Sequence, residues 1–427
     1  MNFSLTQLHV PQRILISNSQ TPKAFKMTRL KTVSLALSCA VALLVLSMNS
    51  ANAFGQTQPP KLASVPPMGW NTWYAFGCHI SADVVRAQVD QMVANGMKAA
   101  GYRYVNLDDC WQGSRDAQGV IHPNSHFPDV KALAAYVHSR GLLFGIYSSP
   151  GPTTCGGYEG SYGHEVQDAR TYAGWGVDFL KYDWCSATSV YRPEQMEDAY
   201  LKMHQALVAA GRPMIYSLCQ YGMLGVWRWG PQVGAELWRT TGDVSNKIDF
   251  QEYERMLFVG FGQAGLDRFA GPGRWNDLDM LQIGNSGLNL DEQKTQMSLW
   301  CLLAAPLIVS TDLTRLSSSE LAILTNPEAI RVDQDPQGIE GQRVSQVGPL
   351  QVWAKPESGG SMAVGLFNSG ESAMPVSVDF RQIGFFHAVE VRDLWARKDL
   401  GTFEKTFSTK VPRHGVALIE VKNYQSQ

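Results

Sequence analysis

Short apolar runs alternate with amphipathic stretches between about residues 66 and 335. Runs of strand length occur at 67–71, 104–107, 142–147, 178–182, 214–218, 237–241, 274–281 and 306–311. Helical patterns lie between them, for example at 82–99, 130–140, 164–175 and 193–210. Repeated strand–helix units predict a parallel sheet, and eight units in about 270 residues fit a (β/α)8 barrel. A doubly wound open sheet is the structural alternative.

The pattern changes near Gly338. Strand-like runs at 351–354, 361–367 and 415–421 are separated by Gly, Ser and Pro, and no helical pattern of comparable length lies between them. Such a texture predicts a small antiparallel β-sandwich domain. We therefore assign residues 54–340 to the barrel and residues 341–427 to a C-terminal β domain.

The first 53 residues have the features of a secretory signal peptide. They carry five basic and no acidic side chains, an apolar run at 33–48, and the small-x-small sequence Ala51-Asn52-Ala53. The apolar run is too short to span a membrane as a helix. We expect export to the periplasm or the medium, with Met27 as an alternative start of translation and no membrane segment after cleavage.

The net charge argues against a nucleic-acid-binding protein, and the cysteine content allows disulfide bonds. The whole chain has 36 basic and 38 acidic residues, and loss of the five basic residues before position 54 leaves a net charge of about −7. A mildly acidic domain has no electrostatic basis for holding nucleic acid. Six cysteines remain, namely Cys78, Cys110, Cys155, Cys185, Cys219 and Cys301. Disulfides are expected after export, although six cysteines allow 15 pairings.

Polar side chains end nearly every apolar run of the predicted barrel. The sequences at these positions are Leu107-Asp108-Asp109, Tyr147-Ser148-Ser149, Lys181-Tyr182-Asp183, Cys219-Gln220-Tyr221, Thr241-Gly242-Asp243 and Asn276-Asp277. The carboxyl ends of barrel strands meet at one face, which is where active sites of this architecture form. We therefore expect several carboxylates to converge at one mouth.

Two carboxylates in different protonation states would suit hydrolysis of a glycosidic bond. Lys181 and Asp183 are two apart on a strand and point to the same face, so the lysine should depress the pKa of Asp183, as a nucleophile requires. On spacing alone the proton donor could be Asp243, Asp109 or Asp277. The alternative for any one of these aspartates is a structural hydrogen bond at a helix start or a loop.

A series of ordered motifs resembles glycoside hydrolase family 27, the α-galactosidases or melibiases. The motifs are Pro67-Met68-Gly69-Trp70-Asn71, Leu107-Asp108-Asp109-Cys110-Trp111, Gly145-Ile146-Tyr147, Lys181-Tyr182-Asp183 and Arg274-Trp275-Asn276-Asp277. The resemblance covers about residues 66–340. It implies that Asp183 is the nucleophile of a retaining reaction and that Asp243 acts as general acid and then as general base.

The resemblance also implies a set of substrate-binding residues and two disulfides. These would be Trp73 facing the sugar ring, Asp108 and Asp109 accepting from the 4- and 6-hydroxyls, Lys181 and Arg239 binding other hydroxyls, Tyr147 beside the nucleophile, and Cys155 and Gln220 in the pocket wall. Cys78 would pair with Cys110 and Cys155 with Cys185, which leaves Cys219 and Cys301 as buried thiols. Gln220 departs from the glutamate of many relatives.

The expected substrate is a galactose-containing oligosaccharide or polysaccharide, with no cofactor and no metal. A sister specificity, β-L-arabinopyranosidase or α-N-acetylgalactosaminidase, and a sugar-binding protein without catalysis are the alternatives. The G-x-G-x-x-G sequence at 260–265 follows a helical pattern and not a strand, so it does not predict a dinucleotide site. His122 and His126 are separated by a proline-containing loop, which argues against a metal pair.

Overall fold

The strands before residue 310 are short and mostly buried. In the computed structural model, which describes residues 62–245, 252–285 and 287–424, they are β1 (Met68–Asn71), β2 (Tyr104–Asn106), β3 (Gln112–Arg115), β4 (Ile121–Pro123), β5 (Leu143–Ser148), β6 (Phe179–Asp183), β7 (Ile215–Cys219), β8 (Leu237–Arg239), β9 (Trp275–Asp277) and β10 (Leu307–Val309). The predicted signal peptide lies outside the described residues.

All of these strands except the hairpin β3–β4 form one parallel sheet, in the order β10-β1-β2-β5-β6-β7-β8-β9. Leu281, just after β9, makes a parallel bridge to Val309 of β10 and so joins the two edges of the sheet. The predicted (β/α)8 barrel is therefore confirmed, and the open sheet is wrong. Closure brings the carboxyl ends of all the strands to one rim.

The helices follow the predicted alternation. Within the described ranges they are α1 (Trp73–Phe76), α2 (Ala82–Ala94), α3 (Val130–Ser139), α4 (Glu165–Trp175), α5 (Met196–Ala210), α6 (Glu252–Phe261), α7 (Leu290–Leu302), α8 (Ser318–Leu324) and α9 (Pro327–Asp333). In α2, Val85, Val89 and Met92 form the buried stripe that faces the barrel. The helix ends five residues before the predicted boundary because Gly96 adopts a φ of 88°.

Residues beyond 341 form antiparallel sheets, as predicted. The strands are β11 (Gln342–Val347), β12 (Leu350–Pro356), β13 (Met362–Asn368), β14 (Met374–Asp379), β15 (Val389–Asp393), β16 (Lys398–Phe403), β17 (Thr406–Val411) and β18 (Val416–Asn423). One sheet has the order β11-β12-β13-β18-β15-β16, and β14 pairs with β17 in a second sheet. Their facing apolar side chains, among them Val364, Val378 and Phe407, form the core of this domain.

Helix α7 connects the two domains through its packing. Nearly all of its residues are buried, because one side lies on the barrel and the other side contacts β12, β13 and β18. Hydrogen bonds join the same elements, since Thr295 donates to the carbonyl of His414 at 2.8 Å and Trp395 donates to Ser298 at 3.0 Å. Among the described residues, no helix is both long enough and apolar enough to span a membrane.

Lys355 of β12 is fully buried at this interface, where its side chain caps the C-termini of two helices. Its ammonium group donates to the carbonyl of Cys301 in α7 at 3.3 Å, and to the carbonyls of Val332 and Asp333 in α9 at 2.5 and 3.5 Å. These carbonyls lie in the last turns of their helices, where no intrahelical donor is available. The helix dipole and the neighbouring Asp333 favour a cation there, although burial lowers the pKa of Lys355.

We expect Lys355→Met to lower the free energy of unfolding by about 3 kcal/mol, because buried carbonyls lose their donor. Urea unfolding followed by tryptophan fluorescence measures this change. Lys398→Met, at an exposed position of β16, is the matched control and should change stability by less than about 0.5 kcal/mol. Equal stability of the two variants would contradict the role of Lys355.

Candidate active site

A pocket opens at the carboxyl ends of the barrel strands. Most of the predicted site residues line it, namely Trp73, Asp108, Tyr147, Cys155, Lys181, Asp183, Arg239 and Asp243. Four further residues, which no sequence motif had indicated as site residues, also line the pocket, namely Tyr74, Tyr221, Asp279 and Met280.

Asp183, the last residue of β6, is buried at the bottom of this arrangement. Each of its carboxylate oxygens accepts from a tyrosine: Tyr221 donates to Oδ1 at 2.8 Å and Tyr147 donates to Oδ2 at 3.2 Å. Burial raises the pKa of Tyr147 well above its usual value, with a further contribution from Asp183, so this phenol stays protonated and donates. The carboxylate is thus fixed in orientation from two sides.

The pKa of Asp183 differs from the sequence-based expectation. Burial raises it to about 6, although Lys181 and the hydrogen bond from Tyr221 act in the opposite direction. The predicted influence of Lys181 has the right sign, but the prediction of a depressed pKa is wrong because loss of hydration outweighs it. The ammonium group of Lys181 in fact lies 2.9 Å from Asp108, and not against Asp183.

Asp108 is buried and holds a fixed position beside the nucleophile candidate. Its Oδ2 accepts from Asn71 at 2.7 Å and from Lys181 at 2.9 Å, while its Oδ1 accepts from the backbone of Asp109. Asp109 is also buried and is not among the residues that line the pocket; its carboxylate accepts from the backbone N–H groups of Cys110 and Gly156 at 2.7 and 2.6 Å. Burial raises the pKa of Asp109.

Gln220 is completely buried and is not among the residues that line the pocket. Its side-chain oxygen accepts from the backbone N–H of Gly222 at 3.0 Å, so the carboxamide ties down the turn after β7. Tyr221, the next residue, lines the pocket instead of Gln220. Trp184 points away from the pocket and stacks on Tyr200 with ring centroids 5.5 Å apart.

Asp243 lies in the loop after β8 and is the more accessible of the two predicted catalytic carboxylates. Its side chain is 48% exposed, and its Oδ1 accepts from Arg239 at 3.0 Å. Asp277, a rival proton donor on spacing alone, is absent from the pocket lining and accepts from the backbone N–H of Asp279. Of the three candidate donors, Asp243 is therefore the one that faces the pocket.

Asp279 organises the side of the pocket that carries Asp243. It is buried and pairs with Arg239 at 3.2 Å, while its Oδ2 accepts from the hydroxyl of Tyr74 at 2.6 Å and from the backbone N–H of Val244 at 2.9 Å. Its φ of 73° is unusual for a residue other than glycine. The run Asp277-Leu278-Asp279 was a sequence signal for this residue, but the signal did not indicate which aspartate reaches the pocket.

Both predicted disulfides are present, Cys78–Cys110 and Cys155–Cys185. Each joins a cysteine one or two residues after a site aspartate to another loop of the same rim, so the bridges restrict the segments that carry Asp109 and Asp183. Cys219 and Cys301 are free and buried, as expected. Within the described residues, metal-type ligands gather only at Cys155, Asp183 and Cys185, and there the two sulfurs are bonded to each other.

Residues 65–335 match the melibiase family model described as alpha galactosidase A, and residues 347–421 match the alpha galactosidase C-terminal beta sandwich domain. The first match covers more than half of the chain and includes every residue of the pocket. The chain belongs to the melibiase family. It is therefore a glycoside hydrolase, and the pocket lies at the face of the barrel where active sites of this architecture form.

Other melibiases resemble this one over nearly their whole length. The α-galactosidase A of Cellvibrio japonicus (strain Ueda107) is 41% identical, over 92% of this chain and 99% of its own. The crystal structure of α-galactosidase I from Mortierella vinacea has 34% identity and a TM-score of 0.79, covering 84% of this chain and 97% of its own. An α-galactosidase from Saccharomyces cerevisiae solved with raffinose has 28% identity and a TM-score of 0.78, covering 85% and 99%.

Proposed function

We propose that this melibiase is a retaining α-galactosidase that removes terminal α-D-galactosyl residues from oligosaccharides or polysaccharides. The observation that carries the proposal is the pair of aspartates in one pocket: Asp183 is buried and held by two phenols, and Asp243 is open to solvent beside Arg239. The names of its relatives, and the raffinose bound to one of them, support a galactoside as substrate.

In the first step, a carboxylate oxygen of Asp183 attacks the anomeric carbon of the sugar. The bond from that carbon to the aglycone oxygen breaks, and protonated Asp243 supplies the proton that this oxygen needs. The product is a galactosyl ester of Asp183 with inverted configuration at the anomeric carbon. Tyr147 donates to the attacking carboxylate and holds it in place, which lowers the entropic cost of reaching the transition state.

In the second step, a water molecule gives its proton to Asp243, now a carboxylate, and attacks the same carbon. The bond to Asp183 breaks, and its electron pair returns to the carboxylate. Two inversions give retained configuration overall. Arg239 contacts Asp243 directly, so it limits where the acid–base group moves between the two steps.

The sugar is recognised by the charged wall around Asp108. Its carboxylate is bound by Asn71 and Lys181 yet lines the pocket, so it is ready to accept from hydroxyl groups of galactose. Lys181 donates to a neighbouring hydroxyl, and the ring of Trp73 packs on the apolar face of the sugar. The carboxylate of Asp109 accepts from the backbone at Gly156 and so fixes the loop next to Cys155.

Export is part of the proposal as well. Two disulfides at the active-site rim fit an oxidising compartment, which is where an exported glycosidase would work. Mass determination of the mature protein from its native host would locate the new N-terminus. An N-terminus near residue 54 supports removal of the predicted signal peptide, whereas retention of residues 1–53 would contradict it.

The specificity is tested with a panel of nitrophenyl glycosides. The α-galactoside should be hydrolysed fastest, with slow or no release from the β-L-arabinopyranoside and the N-acetyl-α-galactosaminide. Exclusive cleavage of either of the latter two would establish a sister specificity. If the folded protein released nothing from any of them, catalysis itself would be disproved.

The pKa of Asp183 predicts the acidic limb of the pH profile. The nucleophile must be ionised, so kcat/KM should be half-maximal near pH 6 and fall about tenfold per pH unit well below it. Initial rates with the nitrophenyl galactoside, measured far below KM from about pH 4 to about pH 8, give this curve. A limb near pH 4, the ordinary value for an aspartate, would contradict the dominance of burial.

A further inference from the structure

The chain makes a tight turn directly after β7 and places Tyr221 in the active-site pocket. Tyr221, Gly222 and Leu224 all have left-handed backbone conformations, with φ values of 63°, 80° and 56°. Only glycine adopts this region without cost, so the turn stores strain at Tyr221 and Leu224. Strained backbone of this kind persists where the surroundings fix it, and it often marks a functional position.

Two contacts fix the turn. The buried side chain of Gln220 accepts from the N–H of Gly222 at 3.0 Å, which ties the turn to the end of β7. Gly222 also lies so close to the loop after β8 that an added Cβ would be 2.1 Å from the carbonyl oxygen of Thr240. The turn is therefore wedged between the strand that ends at Cys219 and the loop that leads to Asp243.

The turn after β7 fixes the position of the hydroxyl group of Tyr221. The phenol of Tyr221 donates to Oδ1 of Asp183 at 2.8 Å and lies 3.7 and 3.9 Å from the sulfurs of Cys155 and Cys185. The hydrogen bond from Tyr221 is the shorter of the two that phenols donate to Asp183, since the one from Tyr147 measures 3.2 Å. Burial and the charge of Asp183 raise the pKa of Tyr221 well above its usual value, so the group only donates.

We propose that Tyr221 is a positioning residue for the nucleophile, and that its hydroxyl stabilises the Asp183 carboxylate before attack and again when that carboxylate leaves the sugar. The proposal rests on the retaining mechanism described above. Gln220 takes part indirectly, because it holds the turn that presents Tyr221.

The physical argument concerns where negative charge lies in each step. Free Asp183 is an anion in a buried site, and a hydrogen bond to a charged acceptor is stronger than one to a neutral acceptor. In the galactosyl ester that charge is gone, so the bond from Tyr221 weakens. When the ester breaks, charge returns to the carboxylate and the bond strengthens again, which favours the transition state over the intermediate.

Tyr221→Phe removes the hydroxyl and keeps the ring. The acidic limb of kcat/KM should move upward by about one pH unit, because Asp183 loses a donor to its charged form. Near the pH optimum and with a dinitrophenyl galactoside, kcat should fall about tenfold or more, and KM should fall with it, because the ester accumulates when only the second step is slow. Thermal unfolding checks that the variant is folded.

Tyr162→Phe is the matched control, since Tyr162 is 41% exposed and lies outside the pocket lining. It should leave the pH profile, kcat and KM unchanged. An unshifted acidic limb in folded Tyr221→Phe, or a loss of kcat with KM constant or higher, would overturn the role of Tyr221. Absence of galactoside hydrolysis by the wild-type protein would instead overturn the proposed function, so the two failures are distinguishable.

Discussion

Replacement of Asp183 by glycine is expected to reduce hydrolysis of an aryl α-galactoside by about 10⁴-fold or more, because no other group at the site can form the covalent intermediate. The variant leaves a space beneath Tyr147 and Tyr221, whose hydroxyls then point at a small anion that enters it. Added azide should therefore restore release of the aryl group and form a galactosyl azide.

The stereochemistry of that azide tests the mechanism directly. Azide replaces the carboxylate and attacks from the same face, so the product should be the β-anomer, determined by proton NMR. An α-azide would mean attack from the opposite face, and undiminished hydrolysis without azide would mean that Asp183 is not the nucleophile.

The raised pKa of Asp183 also makes the free energy of unfolding depend on pH. Because burial raises the pKa of Asp183 to about 6, the folded state favours the protonated side chain. This stability is fully present below about pH 4, the ordinary pKa of an aspartate, and is lost as the pH rises from there through about 6, where the carboxyl ionises in the fold. Asp183→Asn cannot ionise, so its free energy of unfolding should exceed that of the wild type by on the order of 2 kcal/mol at about pH 8. Urea unfolding at about pH 5 and about pH 8 should show the difference growing with pH; a constant or reversed difference would contradict this account.

Asp243→Asn is expected to have an effect that depends on the leaving group. Sugars such as those in raffinose leave poorly and need a proton, so hydrolysis should fall by about 10³-fold. A dinitrophenol leaves without a proton, so the first step should be nearly normal and the second step, which lacks its base, should limit turnover. Azide needs no deprotonation and should restore turnover with this substrate.

The appropriate control is Asp83→Asn, at a side chain that is 92% exposed on α2, and it should leave both substrates unaffected. Measurement of kcat and kcat/KM on the two substrates separates the possibilities. An equal loss on both would show that Asp243 contributes to binding or folding and not to proton transfer.

The sequence was sufficient for features that depend on periodicity. The alternation of apolar runs predicted the barrel, and polar residues at strand ends placed Asp108, Asp183 and Asp243 at one rim, because parallel strands all end on the same side. Family resemblance, and not spacing, supplied both disulfide pairings. The helix end at Ala94 was misjudged because an apolar pattern continues past Gly96, whose backbone conformation ends the helix.

Features that depend on side-chain packing could not be obtained in this way. The sign of the pKa shift of Asp183 follows from how much water its neighbours exclude, which no local pattern encodes. Tyr221 and Asp279 reach the pocket through left-handed backbone conformations that sequence rules assign to glycine. Gln220 has the residue type of a ligand-binding group, but in the fold its side-chain oxygen accepts from Gly222, while its buried Nε2 has no hydrogen-bond partner.

The buried ammonium group of Lys355 limits how the gene for such an enzyme can be shortened or recombined. Since this one group binds the last carbonyls of α7 and α9, and α7 packs on both domains, the C-terminal sheets are a structural support of the barrel and not a detachable module. A gene shortened after codon 341 would encode a barrel on which Phe261 is no longer covered by Trp353 and Phe367, and a protein with such exposed apolar surface tends to aggregate. Recombination that moves the catalytic domain to a new partner therefore has to carry the C-terminal domain along.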